Sequence, residues 1–369
     1  MPVVAFQYLT PKYLFNHVSY TNSINLDKQV VDIKRRSDWN IISLGSSEVR
    51  WGFDPDSFDE GMGTNLDLGD FEPVAFNFGI DGFSPGLIYS MMHGLDLKQL
   101  APRLKMLLIG VNLAESNSIS EPGYKPGVCG ALQRPVLTSP FAIDRKLDDI
   151  CIKPSWRDEF VGIANELVIF RYRKAIRNLV LQGGHTTGFI PMQSNGLPHM
   201  ANGYQPHQSI NESYANFISS WDRLVLEKKE HPDRFQPLDP QIWVNAVAEG
   251  GFFDAWNEYG KQNDILIAFY ALPTSPMYFD VYDRRDDYKN NSELVRKWAE
   301  ENNGVFVDLG IQDGFDRKHD YSDYRHLSQY GAPKFSFMLG ADLARNLAAT
   351  HNQWAIRGEK QVNCVGCFQ

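Results

Sequence analysis

The chain carries five short apolar runs, each ending in small or polar residues. Ile41-Ile42-Ser43-Leu44 stops at Gly45-Ser46-Ser47, Val74 to Phe78 runs into Gly79-Ile80-Asp81-Gly82, and Leu104 to Val111 ends at Asn112. Two more lie downstream: Asp264 to Ala271, closed by Leu272-Pro273-Thr274, and Val305 to Asp308. Runs of this length, rich in large apolar residues and bounded by glycine or proline, fit buried strands better than helices. Between them apolar residues recur at helical spacing. Leu26 to Arg36 sets Val30, Val31 and Ile33 against Asp27, Lys28 and Asp32, and 86–99 carries Leu87, Ile88, Met91, Met92 and Leu95, a stripe suited to core packing. Further helices are expected at 157–182, 212–230, 241–262, 291–301 and 331–349. The stretch from Asp54-Pro55 to Glu72 reads as an acidic, glycine-containing loop.

Strands alternating with helices predict an α/β fold, a three-layer αβα arrangement around a parallel sheet of about five strands. Ligands in such sheets bind at the carboxyl ends of the strands, so Ser47, Gly82 and Asn112 are expected to meet on one rim. Residues 113–262 break the rhythm and are read as a large, mainly helical insertion. Within it, 183–210 is a long polar stretch with no regular pattern. His185, Asn195, His199 and Tyr204 there suit contacts to a sugar or ester, and a plain surface loop fits equally well. The expected organisation is an N-terminal arm over 1–25, one α/β domain over 26–349 containing the insertion, and a tail over 350–369.

Composition narrows the function classes. A hydrophobic content of 43% with 23 Phe, 16 Tyr and 8 Trp provides for a large core. A net charge of -9 argues against a nucleic-acid partner, whose phosphates call for clustered Lys and Arg; Lys34-Arg35-Arg36 and Arg171 to Lys174 read as solvated helix faces. Four cysteines, at 129, 151, 364 and 367, are too few and too scattered for a disulfide framework, and Cys364-x-x-Cys367 lacks the second ligand pair of a zinc site. The histidines of the insertion fit no compact metal pattern either. No apolar window approaches the ~20 residues of a membrane span, and the N-terminus lacks the basic and apolar regions of a signal peptide. The chain is therefore expected to be soluble and cytoplasmic by default, with an extracytoplasmic place open if a leader or anchor was removed. No pattern fixes an oligomeric state.

Two stretches carry candidate chemistry. The hydroxyls of Ser46 and Ser47 can cap the following helix, or one of them can face a crevice as a nucleophile. Far downstream stand two D-x-x-H pairs, Asp316 with His319 and Asp323 with His326. Such a pair can set a carboxylate against one imidazole nitrogen and leave the other facing a nucleophile, as a catalytic triad requires. The second pair is preferred because it directly precedes Leu327-Ser328-x-x-Gly331 and the helix beyond, which can fix its position.

In chain order, Gly45-Ser46-Ser47, Asn77-x-Gly79-Ile80-x-Gly82, Gly110-x-Asn112 and Asp323-x-x-His326 resemble the four blocks of the SGNH (GDSL-like) hydrolase family. With Gly52 and Asp54-Pro55 following the serines, and Leu-Ser-x-x-Gly following His326, the chain further resembles the subgroup associated with exopolysaccharide O-acetylation, including alginate-acetylation proteins. The likeness covers 26–112 and 264–349. It departs from the common pattern at Ser46, where the family usually has Asp, and at Leu113, where Asp is common after the Asn. The resemblance implies a flavodoxin-like sheet and a catalytic triad of Ser47 as nucleophile, His326 as base and Asp323 as its orienting partner. It also implies an oxyanion hole from the amides of Ser47 and Gly82 and the side chain of Asn112, with no metal or organic cofactor.

The expected activity is that of a serine esterase acting on O-acyl, foremost O-acetyl, esters of a carbohydrate or another small ester. A polysaccharide O-acetyltransferase using the same triad, and a non-catalytic carbohydrate-binding or structural protein on the same scaffold, are the alternatives. A nucleotide-binding protein is disfavoured, because the first βα turn has neither G-x-G-x-x-G nor a P-loop.

Overall fold

The computed structural model describes residues 29, 32–64, 71–81, 88–89, 97–115, 200–212, 214–235, 238–311 and 314–350. Its elements in chain order are β1 (Ile41–Gly45), α1 (Ser47–Gly52), α2 (Pro55–Gly63), β2 (Ala75–Gly79), α3 (Leu97–Leu100) and β3 (Met106–Val111). After these come α4 (Tyr214–Glu230), α5 (Pro240–Val247), α6 (Phe252–Asn263), β4 (Leu266–Ala271), α7 (Pro276–Tyr282), α8 (Arg285–Asn302), β5 (Val305–Val307) and α9 (Gly331–Thr350). The five strands form one parallel sheet in the order β2-β1-β3-β4-β5, the three-layer flavodoxin-like arrangement. Gly45 pairs with Gly79 and Val111 with Ala271, so the carboxyl ends of the strands share one edge.

Alternation along each strand builds two cores. Ile42, Leu44, Phe76, Phe78, Leu107, Ile109 and Phe269 belong to one, closed by Trp243 of α5, Phe253 and Trp256 of α6 and Trp298 of α8. Ile41, Ala75, Met106, Leu108, Ala268 and Tyr270 belong to the other, closed by Val49 of α1, Phe58 of α2 and Phe335, Leu339 and Leu343 of α9. Because α5 and α6 pack in the first core, the end of the segment expected as an insertion is part of the covering layer.

Several local expectations change. Residues 55–63 are helical rather than looped: Asp54 stands at the N-cap and Pro55 at the first helical position, where its fixed φ suits the turn. Phe58 and Met62, four apart, then face the core. The single helix expected at 241–262 is two, broken where Gly250 takes a left-handed φ of 73°. The helix α7, capped by Ser275 Oγ accepting from the amide of Met277, was not anticipated, and α8 starts at Arg285 rather than Asn291. Of the stripe at 86–99, residues 88–89 and 97–99 are described, all of them helical; the helix expected at 157–182 lies outside the described residues. Among the described residues no helix is long and apolar enough to cross a membrane.

Candidate active site

The turn after β1 divides the two roles open to its serines. Ser46 is the N-cap of α1, its Oγ accepting from the amide of Glu48 at 3.2 Å. With that cap filled, Ser47 at the first helical position turns its hydroxyl elsewhere, and Oγ lies 2.9 Å from Nε2 of His326. On the far side of the ring, Nδ1 lies 2.8 Å from Oδ2 of Asp323. The other carboxylate oxygen accepts the backbone amides of Arg325 (2.7 Å) and His326 (2.8 Å). The three residues expected as a triad are thus joined in one relay.

Two backbone amides and the imidazole itself set the electrostatics of Asp323 in this relay. Burial pushes the Asp323 carboxyl up, but the charge and hydrogen bond of His326 and the amides of Arg325 and His326 outweigh it and hold the group at about 2. Burial of the ring pulls His326 down, yet the charge and hydrogen bond of Asp323, with the carboxylate of Glu48, raise it above the ordinary imidazole value. With Nδ1–H donating to Asp323, the neutral ring presents a lone pair at Nε2 to Ser47, as a general base does.

The loop bearing Asp323 and His326 is braced from both ends. Ser322 donates its amide (2.9 Å) and its hydroxyl (3.2 Å) to the carbonyl of His326, and buried Tyr321 bridges to buried Leu327. Segment 200–212 holds this loop from outside: the amide of Gln329 donates to the carbonyl of His207 and that of Ile210 to Tyr321. The other pair, Asp316 and His319, makes no such relay. Asp316 accepts the amides of Lys318 and His319, and the His319 ring lies against Tyr330 with Nδ1 on Asp320.

Asn112 follows β3 directly and is 2% exposed. Its Oδ1 accepts the amide of Ala114 at 3.0 Å and its Nδ2 donates at 2.7 Å to Oε1 of Glu48, the residue after Ser47, which fixes the orientation of the side-chain amide. In the second block, Asn77 and Gly79 hold the turn. Buried Asn77 donates through Nδ2 to the carbonyls of Val49, Arg50 and Phe53 at 2.9, 3.2 and 2.6 Å, and accepts the amide of Gly79 at 2.9 Å. Gly79 must lack a side chain, because a Cβ there would lie 2.3 Å from the backbone nitrogen of Arg50.

Gly82, His185, Asn195 and His199 lie outside the described residues. Tyr204, the remaining candidate for substrate contact, is 3% exposed within the second core. Desolvation raises the pKa of its hydroxyl, which has no hydrogen-bond partner among the described residues. That burial places Tyr204 in the packing and not in a ligand contact, because its neighbours Asn202 and Gln205 tie the segment to Asn77 and Arg50.

Five residues beside the relay were not singled out for the site from sequence. Arg325, between Asp323 and His326, reaches Glu115 at 2.6 Å and Glu48 at 3.9 Å. Burial opposes its charge, but the two carboxylates outweigh this and raise it. The indole of Trp51 lies between two imidazoles, with ring centroids 4.4 Å from His326 and 4.3 Å from His207. His207 is itself buried, and that burial lowers it. The available signal was adjacency: Glu48 and Arg325 are charged residues touching the two motifs, and a charge on a turn packed against the sheet needs a partner.

Among the described residues no group of three His, Cys, Asp or Glu side chains is placed to hold a metal ion. No protein-family model matches the chain, and no curated protein matches it in sequence.

Proposed function

We propose that this chain is a serine-dependent acyl-ester enzyme of the SGNH type, an esterase that removes O-acyl, foremost O-acetyl, groups from a carbohydrate. The observation that carries the reading is the relay from Ser47 Oγ through His326 to Asp323, with contacts of 2.9 and 2.8 Å. The carbohydrate portion rests on the sequence likeness to proteins of polysaccharide O-acetylation.

In this reading Nε2 of His326 takes the hydroxyl proton as Ser47 Oγ bonds to the ester carbonyl carbon, while Asp323 stabilises the imidazolium. The tetrahedral oxyanion is received by the amides of Ser47 and Gly82 and by the Asn112 side chain; removing one such donor typically slows a reaction by about 10²- to 10³-fold. The imidazolium returns its proton to the departing sugar oxygen as the carbon–oxygen bond breaks, leaving acyl-Ser47. Water gives a proton to His326 as it attacks that ester; the imidazolium then returns the proton to Oγ as the bond to Oγ breaks, releasing the free acid and regenerating Ser47. An acceptor sugar hydroxyl in place of that water gives acyl transfer by the same steps.

Steady-state release of p-nitrophenol from p-nitrophenyl acetate, with and without an oligosaccharide acceptor, tests this. Hydrolysis is expected in the wild type and at background in Ser47→Ala. Acetylated oligosaccharide formed in place of acetate would turn the reading to transferase. Equal rates in both proteins would sink it.

A further inference from the structure

The polar residues behind the relay are connected to one another. Oε1 of Glu48 accepts from Asn112 Nδ2 at 2.7 Å, and Oε2 accepts from Ser46 Oγ at 3.1 Å and faces Arg325 Nη2 at 3.9 Å. Arg325 Nη2 also meets Glu115 Oε2 at 2.6 Å, and Glu115 Oε1 accepts from the hydroxyl of Tyr278 at 3.2 Å. One charged cluster therefore joins the turn after β1, the turn after β3 and the loop between Asp323 and His326. Glu48 is at its centre and is 8% exposed.

A carboxylate in this place is at first sight adverse. It stands one residue from the nucleophile, where a negative oxyanion is to form, and burying it without partners would be strongly unfavourable. The geometry resolves this. Arg325 offsets the charge, and the lone pairs of Glu48 are spent on donors whose positions matter to the reaction. With Ala114 N–H on Oδ1 and Nδ2 donating to Glu48, the side-chain amide of Asn112 is held in one orientation at the end of β3.

We infer that Glu48 is a positioning residue, which aims the Asn112 amide and, through Arg325, ties the loop of Asp323 and His326 to the nucleophile's turn. The inference rests on the serine-enzyme reading for its kinetic consequences but not for its structural ones. The charged and titratable groups around His326 are Asp323 on its own loop, Glu48 from α1, Arg325, and His207 across Trp51. Removing the negative charge of Glu48 should therefore lower the His326 pKa, and removing the positive charge of Arg325 should raise it. A role in packing alone would give no such opposite pair.

The experiment combines ester kinetics with NMR titration of the His326 ring in wild type, Glu48→Gln, Arg325→Gln, Asn112→Ala and the Glu48→Gln/Asn112→Ala double variant. Glu48→Gln is expected to reduce kcat by about tenfold or more while KM stays within about twofold, since an interaction made only in the transition state is weakened. Compared at a pH where His326 is neutral in every variant, the effect of Glu48 runs chiefly through Asn112, so the double variant should be no slower than Asn112→Ala by more than about twofold. The His326 pKa should move down in Glu48→Gln and up in Arg325→Gln. Multiplicative losses in the double variant, or a His326 pKa unmoved in both charge variants, would overturn the inference. Should the wild type itself lack esterase activity, the enzymatic reading fails while the titration still decides whether Glu48 and Arg325 set the state of His326. Arg325→Gln gives that answer even if Glu48→Gln does not fold.

Discussion

His326 is the residue whose surroundings determine most. Its ring is held between Ser47 Oγ and Asp323 Oδ2 with Trp51 packed edge-on, and the carboxylates around it favour the imidazolium. The base must be neutral to accept the serine proton, so a raised pKa moves the onset of activity to higher pH. Ester hydrolysis is expected to rise with pH through one ionisation whose midpoint lies above the ordinary imidazole value of about 6.5. A pH profile of kcat/KM with a midpoint below that value would contradict this arrangement. Asp323, held at about 2, stays ionised throughout that range and contributes no second limb.

At the level of elements, Asn77 fixes α1 and hence the nucleophile. Its amide is the shared donor for three carbonyls around the end of α1, and its Oδ1 is an acceptor for Gly79. Asn77→Ala takes the donor from the carbonyl of Phe53, while those of Val49 and Arg50 keep the amides of Phe53 and Gln205; the loss is about 1–3 kcal/mol for such a group. Asn77→Asp is expected to be worse, because it turns a second acceptor toward those carbonyls. Urea unfolding midpoints should fall in the order wild type, Ala, Asp; unchanged midpoints would refute the role.

This residue also marks where sequence reading stops. The strands, the long helices α4, α8 and α9 and the order of the motif blocks follow from apolar spacing and from turns rich in glycine and serine, all local signals. What Asn77 does depends on α1 lying across β2, and the partners of Arg325 depend on two turns from distant segments meeting, so neither is written in local spacing. The burial of Tyr204 is hidden for the same reason: a polar, aromatic loop sequence does not reveal that the loop packs back onto the core. The helix α2 was different, since Asp54-Pro55 is a legible start signal whose acidic, glycine-containing continuation masked it.

For the molecule as a whole, a half-buried carboxyl group at the edge of the second core works against stability. Asp59 of α2 accepts the amide of Ala75 through both oxygens, at 3.1 and 3.0 Å, and burial raises it to about 7. The folded state keeps a proton that the unfolded chain releases near 3.8, so this group's contribution to stability declines as pH rises from about 4 to about 7. Asp59→Asn preserves an acceptor for Ala75 and removes the penalty. Its stability should match the wild type near pH 4 and exceed it at pH 8; a wild type more stable at pH 8 would reverse the sign of the argument.

The proposed function requires that Ser47 be acylated during turnover, at the sheet edge where segments from both ends of the described chain meet. The intact mass of wild type and Ser47→Ala, acid-quenched during turnover of p-nitrophenyl acetate, decides this. A wild-type species heavier by one acetyl group is expected, located by peptide mapping to the segment containing Ser47 and missing from the variant. An unmodified wild type, or the same adduct on Ser47→Ala, would contradict the proposed function.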